Sequence, residues 1–114
     1  MYTRRAMALG RLPTGVMNRT ESKYAQYLEN RKLLGEIIRY DFEPESLRLA
    51  KGCFYMPDFR VQLANGEIEF HEVKGYWMDD AKVKVKVAAQ THPYRFIAVY
   101  YKKGEFTFEE IKHD

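Results

Sequence analysis

Two short motifs in the sequence combine acidic side chains with a lysine. Asp58 follows Pro57, and Glu72-Val73-Lys74 comes soon afterwards on a second strand-like segment. Two carboxylates can hold a divalent cation, and Mg²⁺ in particular takes few protein oxygens and keeps several waters. A cation held in this way activates a water and stabilises negative charge on a phosphoryl group. The motifs therefore predict metal-dependent hydrolysis of a phosphodiester.

Each residue of the two motifs has an expected role in that chemistry. Asp58 and Glu72 are expected to be direct metal ligands, with the main-chain carbonyl of Val73 as a third. Lys74 lies two residues after Glu72, so both side chains leave the same face of a strand. Lys74 is then positioned to orient the attacking water or to balance charge at the phosphate.

An upstream glutamate, Glu21, is the fourth candidate for the catalytic and metal-binding set. It precedes Tyr24, Ala25 and Leu28 by three, four and seven residues, which puts it on the apolar face of a predicted helix. A carboxylate on that face needs a partner. Two roles are open: a contribution to the metal site, or a capping box with Asn18.

The elements that must position these residues follow from hydrophobic periodicity and from breaker residues. The order of helices and strands predicts an α/β (α+β) fold, with a mixed central β-sheet flanked by helices. Apart from a hairpin, the expected elements are a helix over 20–34, strands over 36–43 and 47–49, a helix over 79–91, and strands over 94–102 and 105–111.

A β-hairpin is predicted over 54–63 and 67–74, and it contains both motifs. Asn65-Gly66 at its tip is typical of a tight two-residue turn. His71 is expected to be an ordinary strand residue that points away from the acidic face. Tyr76 and Trp77, just after the second strand, are expected to pack in the core or support the next helix.

The register of this hairpin decides whether the two motifs meet. A two-residue turn would pair Phe59 with Glu72 and unite the apolar face, but it would turn Asp58 to the opposite face. A three-residue loop over 64–66 would set Asp58 opposite Glu72 and split the apolar face. We expect the first register, with a bulge, bend or strand end at Pro57-Asp58.

Composition indicates one globular domain. The chain has 114 residues, of which 46% are hydrophobic and 15% aromatic, enough for a core without cross-links. Its single cysteine, Cys53, cannot form an internal disulfide, and a reducing cytoplasmic location is expected. No apolar run approaches the ~18 residues that a membrane span requires, so no membrane association is expected.

The net charge of +3 is unevenly distributed. Residues 1–17 are basic, lack apolar periodicity and contain glycine and proline, so a flexible N-terminal arm is expected, leaving 18–114 as the single domain. The helix over 79–91 carries a polar stripe with a spacing of four residues. Both features suit contacts with a phosphate backbone, although solvation of a charged surface explains them equally well. The candidate DNA-binding residues are Arg4, Arg5, Arg11, Arg19, Lys82, Lys86 and Gln90.

Taken together, these residues resemble the PD-(D/E)XK nuclease superfamily. The motif is Pro57-Asp58 followed by Glu72-Val73-Lys74, with Glu21 on the preceding helix. The order of elements matches over about residues 18–103. The segments 54–59 and 71–77 also look like small phage-encoded proteins of this superfamily.

The resemblance implies a restriction-endonuclease-like αβββαβ core and a Mg²⁺- or Mn²⁺-dependent endodeoxyribonuclease. It carries metal binding onto Asp58, Glu72 and Glu21, and catalysis onto Lys74. Small members with a glutamate in the first helix include Holliday-junction resolvases and endonuclease domains of transposases. By analogy, the expected substrate is branched or duplex DNA, cut by a homodimer during recombination of phage or mobile-element DNA in a bacterial host. An RNA substrate, a partner-dependent nicking enzyme and a catalytically silent binding module stay open.

Overall fold

The computed structural model describes residues 15–74 and 79–112. Two helices and seven strands lie in these ranges. In chain order they are α1 Arg19–Leu33, β1 Ile37–Phe42, β2 Leu47–Ala50, β3 Cys53–Tyr55, β4 Phe59–Leu63, β5 Ile68–Lys74, α2 Asp79–Thr91, β6 Arg95–Lys102 and β7 Glu105–Ile111.

Helix α1 begins with a capping box, one of the two roles that the sequence left open for Glu21. The Asn18 side chain accepts a hydrogen bond from the Glu21 main-chain N–H at 2.7 Å, and Glu21 Oε1 accepts one from the Asn18 N–H at 2.9 Å. The helix ends before Gly35, whose φ of +80° is the left-handed conformation common after a helix. Among the described residues, no helix is long and apolar enough to cross a membrane.

The main sheet has five strands in the order β1-β4-β5-β6-β7. Strands β5 and β6 are parallel and are joined through α2, while the other neighbours are antiparallel. Strands β2 and β3 form a separate two-stranded sheet. The predicted mixed sheet flanked by helices is therefore confirmed. With the small sheet and β7 set aside, the order is helix, three strands, helix, strand.

Both faces of the main sheet are buried. Helix α1 covers one face, where a core cluster consists of Tyr24, Leu28, Ile37, Phe59, Val61, Val73, Ile97 and Val99. Helix α2 and the small sheet cover the other face, where the cluster consists of Leu47, Tyr55, Phe70, Val85, Ala88, Ala89, Phe96, Ala98 and Ile111. Alternation along β6 sends successive side chains into different clusters.

The register of the β4–β5 hairpin differs from the expected one. Phe59 lies opposite His71 and not opposite Glu72. The turn is the three-residue loop 64–66, in which Gly66 has a φ of +93°, as expected for a turn followed by a left-handed residue. The prediction was wrong because it assumed one buried face. With helices on both faces, collecting the apolar residues on one side brings no advantage.

The expected interruption at Pro57-Asp58 is present, but the strand before it has a different partner. Residues 54–63 were predicted as one hairpin strand. Instead β3 ends at Tyr55 and pairs with β2, and β4 begins at Phe59. Proline has no N–H to donate to a ladder, so a strand end is the natural place for it. The break allows the chain to leave the small sheet and enter the main one.

Candidate active site

The break between β3 and β4 determines where Asp58 lies. The β4–β5 register, continued by one residue, sets Asp58 beside Glu72. Asp58 Oδ2 accepts a hydrogen bond from the Val73 main-chain N–H at 2.8 Å. The carboxylate thus takes the place of a strand neighbour at the end of β5. The two acidic motifs meet there, as the metal hypothesis requires.

Glu72 and Lys74 lie at the end of β5 and interact directly. Glu72 Oε2 is 3.0 Å from Lys74 Nζ, and the Glu72 side chain is only 8% exposed. The other oxygen, Oε1, accepts a hydrogen bond from the Tyr55 hydroxyl at 2.6 Å. A buried carboxylate with two partners has a fixed orientation, which a catalytic or metal-binding group needs.

Burial and a neighbouring negative charge change the protonation of Asp58. Burial, together with the charge of Glu72 beside it, raises the pKa of Asp58 to about 8, and the Val73 hydrogen bond only partly opposes this. Two carboxylates in a desolvated site cannot both carry a charge at low cost. A proton or a cation relieves the same repulsion, so the pair is prepared to exchange one for the other.

Lys74 keeps its proton despite being half-buried. Burial disfavours the charged form, but attraction to Glu72, the hydrogen bond to it and the charge of Asp58 outweigh burial and raise the pKa of Lys74. The ammonium group is therefore charged at neutral pH. It is suited to donating hydrogen bonds and neutralising an anion, not to accepting a proton.

Glu21 combines the two roles that its sequence position left open. It completes the capping box with Asn18. Burial raises the pKa of Glu21, and the negative charges of Glu43 and Glu72 raise it further. Its carboxylate therefore lies within electrostatic range of the β5 pair, at the N-terminal end of α1. A role in binding metal stays a prediction.

Two residues at the site were missed by sequence reasoning. Tyr55 reaches Glu72 from the small sheet, and Glu43 donates its main-chain N–H to the Asp58 carbonyl at 2.7 Å. Glu43 also has a φ of +46°, which is uncommon for a residue other than glycine. Neither contact has a local signal, because each depends on pairing between distant segments.

His71 points to the opposite face from Glu72, as predicted. It is 2% exposed and lies against α1. Its Nδ1 atom is 2.6 Å from the Tyr24 hydroxyl, and its Nε2 atom is 2.9 Å from Glu69 Oε1. These contacts assign His71 to a buried polar network on the α1 face, away from the carboxylate pair.

The candidate DNA-binding residues are only partly within the described ranges. Arg19, Lys82, Lys86 and Gln90 are exposed. Lys82 lies near the start of α2, which follows the end of β5. Gln90 is about 12 Å farther along the helix, towards the end of the sheet where β6 begins. Arg4, Arg5 and Arg11, together with Gly75, Tyr76 and Trp77, lie outside the described residues.

The donor set fits a hydrated Mg²⁺ ion better than a metal enclosed by protein ligands. Within residues 15–74 and 79–112, no group of three or more His, Cys, Asp or Glu side chains is arranged to hold a metal. Asp58 and Glu72 are a pair of hard oxygen ligands. Mg²⁺ commonly binds through one or two carboxylates and retains its remaining waters, whereas structural zinc requires four protein ligands.

Comparison with known proteins adds no relative. No family model, no curated protein and no solved structure matches this chain. The resemblance to the PD-(D/E)XK superfamily therefore stays a prediction, supported by the motif residues and the order of the elements.

Proposed function

We propose that this chain is a divalent-metal-dependent endodeoxyribonuclease of the PD-(D/E)XK type. The observation that carries the proposal is the meeting of Asp58, Glu72 and Lys74 at the end of β5. A buried and a partly buried carboxylate with a high cost of mutual repulsion favour a dication. A charged lysine on the same strand adds the second positive group that hydrolysis of a phosphodiester needs.

The residues divide the chemistry between them. Bound Mg²⁺ or Mn²⁺ supplies an activated water and positive charge at the phosphoryl oxygens. Asp58 and Glu72 hold the ion, with the Val73 carbonyl and Glu21 as further candidate ligands. Lys74 is protonated, so it donates to the attacking water or to a phosphate oxygen as negative charge develops.

DNA is the proposed substrate, and the exposed cations Arg19, Lys82 and Lys86 supply contacts to its backbone. A branched DNA with two symmetric cuts would require two copies of the site, so a homodimer is part of this proposal. The single half-buried Cys53 suits the reducing cytoplasm of a bacterial host.

A cleavage assay tests the proposal. A four-way junction, a flap, a plain duplex and a single strand are offered side by side with Mg²⁺ or Mn²⁺. Lys74→Ala should reduce cleavage at least ~100-fold, as expected for loss of a group that stabilises transition-state charge. Lys112→Ala is the matched control, because Lys112 also lies near a carboxylate, that of Glu110, at the opposite end of the sheet.

The pattern of products separates the specific roles. Symmetric nicking of the junction, absent from Lys74→Ala and with a chelator, indicates a resolvase. If another substrate is cut, and cutting again requires Lys74 and metal, the protein is a nuclease with a different substrate. Cleavage that survives in Lys74→Ala contradicts the site.

A non-catalytic DNA-binding module is the second candidate function. It is favoured by the direct pairing of Lys74 with Glu72 and by the lack of a three-donor group among the described residues. DNA binding without metal-stimulated cleavage of any substrate, alone or beside a partner protein, would establish it.

A further inference from the structure

Tyr55 contacts the candidate ligand set from outside both sequence motifs. Its hydroxyl donates to Glu72 Oε1 at 2.6 Å in a buried environment, and the residue is 7% exposed. The tyrosine comes from β3 in the small sheet, whereas Glu72 is on β5 in the main sheet. Tertiary packing, in addition to Lys74 of the motif, therefore holds this carboxylate.

The two oxygens of Glu72 have different partners. Oε1 is bonded to the Tyr55 hydroxyl, and Oε2 faces Lys74 Nζ at 3.0 Å. Oε2 can coordinate a cation while the hydrogen bond from Tyr55 to Oε1 stays intact. Offering both oxygens would require the buried hydroxyl to lose its acceptor, which is unfavourable.

The Tyr55 ring cannot easily follow a change in Glu72. It belongs to the core cluster that also contains Leu47, Phe70 and Val85. A closely packed side chain holds its rotamer, because moving it disturbs several neighbours. The position of the hydroxyl is therefore set by the core, and the orientation of Glu72 follows from it.

We propose that Tyr55 is a positioning residue that restricts Glu72 to monodentate coordination and thereby increases the preference of the site for Mg²⁺ over Ca²⁺. The inference rests on the proposed function. Mg²⁺ demands near-ideal octahedral geometry with single oxygens, whereas Ca²⁺ takes more ligands and readily accepts a bidentate carboxylate. Fixing one oxygen of Glu72 therefore penalises Ca²⁺, whereas holding the other oxygen in one orientation favours Mg²⁺.

Tyr55→Phe tests this, because it removes the hydroxyl and keeps the ring in the core. The metal-free full chain is titrated with MgCl₂ and separately with CaCl₂ by calorimetry. Loss of an outer hydrogen bond to a ligand typically weakens metal binding about 10-fold. We expect the Mg²⁺ affinity to fall by about that factor while the Ca²⁺ affinity is unchanged or higher, so the Mg²⁺ preference falls at least ~10-fold.

Tyr40→Phe is the matched control. The Tyr40 hydroxyl also donates to a glutamate, Glu29, at 2.7 Å, but on the α1 side of β1. Its loss should leave both affinities unchanged. Tyr55→Leu, a second variant without the hydroxyl, must shift the ratio of affinities in the same direction as Tyr55→Phe. Melting curves establish that each variant is folded.

The outcomes distinguish this inference from the proposed function. An unchanged ratio of affinities in a Tyr55 variant, with normal Mg²⁺ binding by the wild type, overturns the role of Tyr55 alone. Equal weakening of both metals also contradicts it, since that would be a general structural effect. Failure of the wild type to bind either metal overturns the proposed function and this inference together.

Discussion

At the scale of single residues, Asp58 has the most unusual environment. It follows a proline at a strand end, lies beside another carboxylate, and bonds the N–H of Val73. Burial and the charge of Glu72 raise the pKa of Asp58 to about 8, and the hydrogen bond from Val73 only partly opposes this. Groups with strongly perturbed pKa values concentrate at functional sites.

The raised pKa predicts a pH-dependent stability that Asp58→Asn removes. In the folded protein the carboxyl binds its proton more tightly than in the unfolded chain, where the pKa is near 3.8. The stability due to this proton is therefore complete below about pH 4 and is lost as the pH rises through about 8. The asparagine keeps an oxygen for the Val73 N–H and does not titrate.

Melting temperatures of both proteins in chelator, from pH 5 to pH 9, test this. As the pH rises, the melting temperature of the wild type should fall by several degrees relative to that of Asp58→Asn. In a small domain, about 1 kcal/mol of stability corresponds to roughly 4–8 °C. Addition of Mg²⁺ at pH 8 should restore the melting temperature of the wild type and leave that of the variant unchanged. Parallel curves would show that Asp58 titrates normally.

Sequence reasoning predicted which residues lie together at the candidate site better than the contacts between them. Asp58, Glu72 and Lys74 were predicted from their types and spacing, and they meet. Tyr55 and Glu43 were not predicted, because their contacts come from β3 and from the end of β1, far away along the chain. Local patterns carry no information on which distant segment will supply a neighbour.

At the scale of elements, local signals were reliable and register was not. The capping box of α1 was read from Asn18 and Glu21, and α2 has the predicted range 79–91. The β4–β5 register was wrong because the choice between two turns depended on how many faces the finished sheet buries. That number is a property of the whole fold.

The observed register places polar groups in the core, and a network satisfies them. Burial alone would raise the pKa of Glu69, but His71 and Arg95 outweigh it and lower the pKa. Burial lowers the pKa of His71, which is therefore neutral. The His71 Nε2–H then donates to Glu69, and Nδ1 accepts from the Tyr24 hydroxyl. This chain of bonds attaches α1 to β5.

Tyr24→Phe should therefore destabilise the fold without affecting the carboxylate site. The variant leaves His71 Nδ1 buried without its donor, which costs about 1–3 kcal/mol. Urea unfolding measures the loss, and Mg²⁺ affinity should stay at the wild-type value. Tyr40→Phe is again the control, since its partner Glu29 remains partly exposed to water. Equal stability of the two variants would show that the network does not hold α1 against β5.

At the scale of the whole molecule, the sheet separates a buried polar network from the candidate active site. The α1 face carries the buried network of His71 and Glu69, and the end of β5 carries the acidic pair and Lys74. The N-terminal arm joins the domain at this end. The Gly15 N–H donates to Glu43 Oε1 at 2.6 Å, and the Glu43 N–H donates to the Asp58 carbonyl. Gly15, which follows the basic residues 1–14 in the sequence, therefore lies beside the candidate active site.

This attachment predicts that residues 1–14 strengthen DNA binding near the site through charge. The segment carries Arg4, Arg5 and Arg11 and no acidic residue. If all three contact phosphates, removing the segment should reduce the slope of log Kobs against log salt by about 3, because each neutralised phosphate contributes about 0.9.

A variant with the three arginines changed to glutamine keeps the chain length and should behave like the truncation. The measurement is duplex binding across a salt series, with melting curves as the check on folding. An unchanged slope in both variants would show that the three arginines bind no phosphate, and weaker binding with an unchanged slope in the truncation alone would show that the segment acts through uncharged contacts.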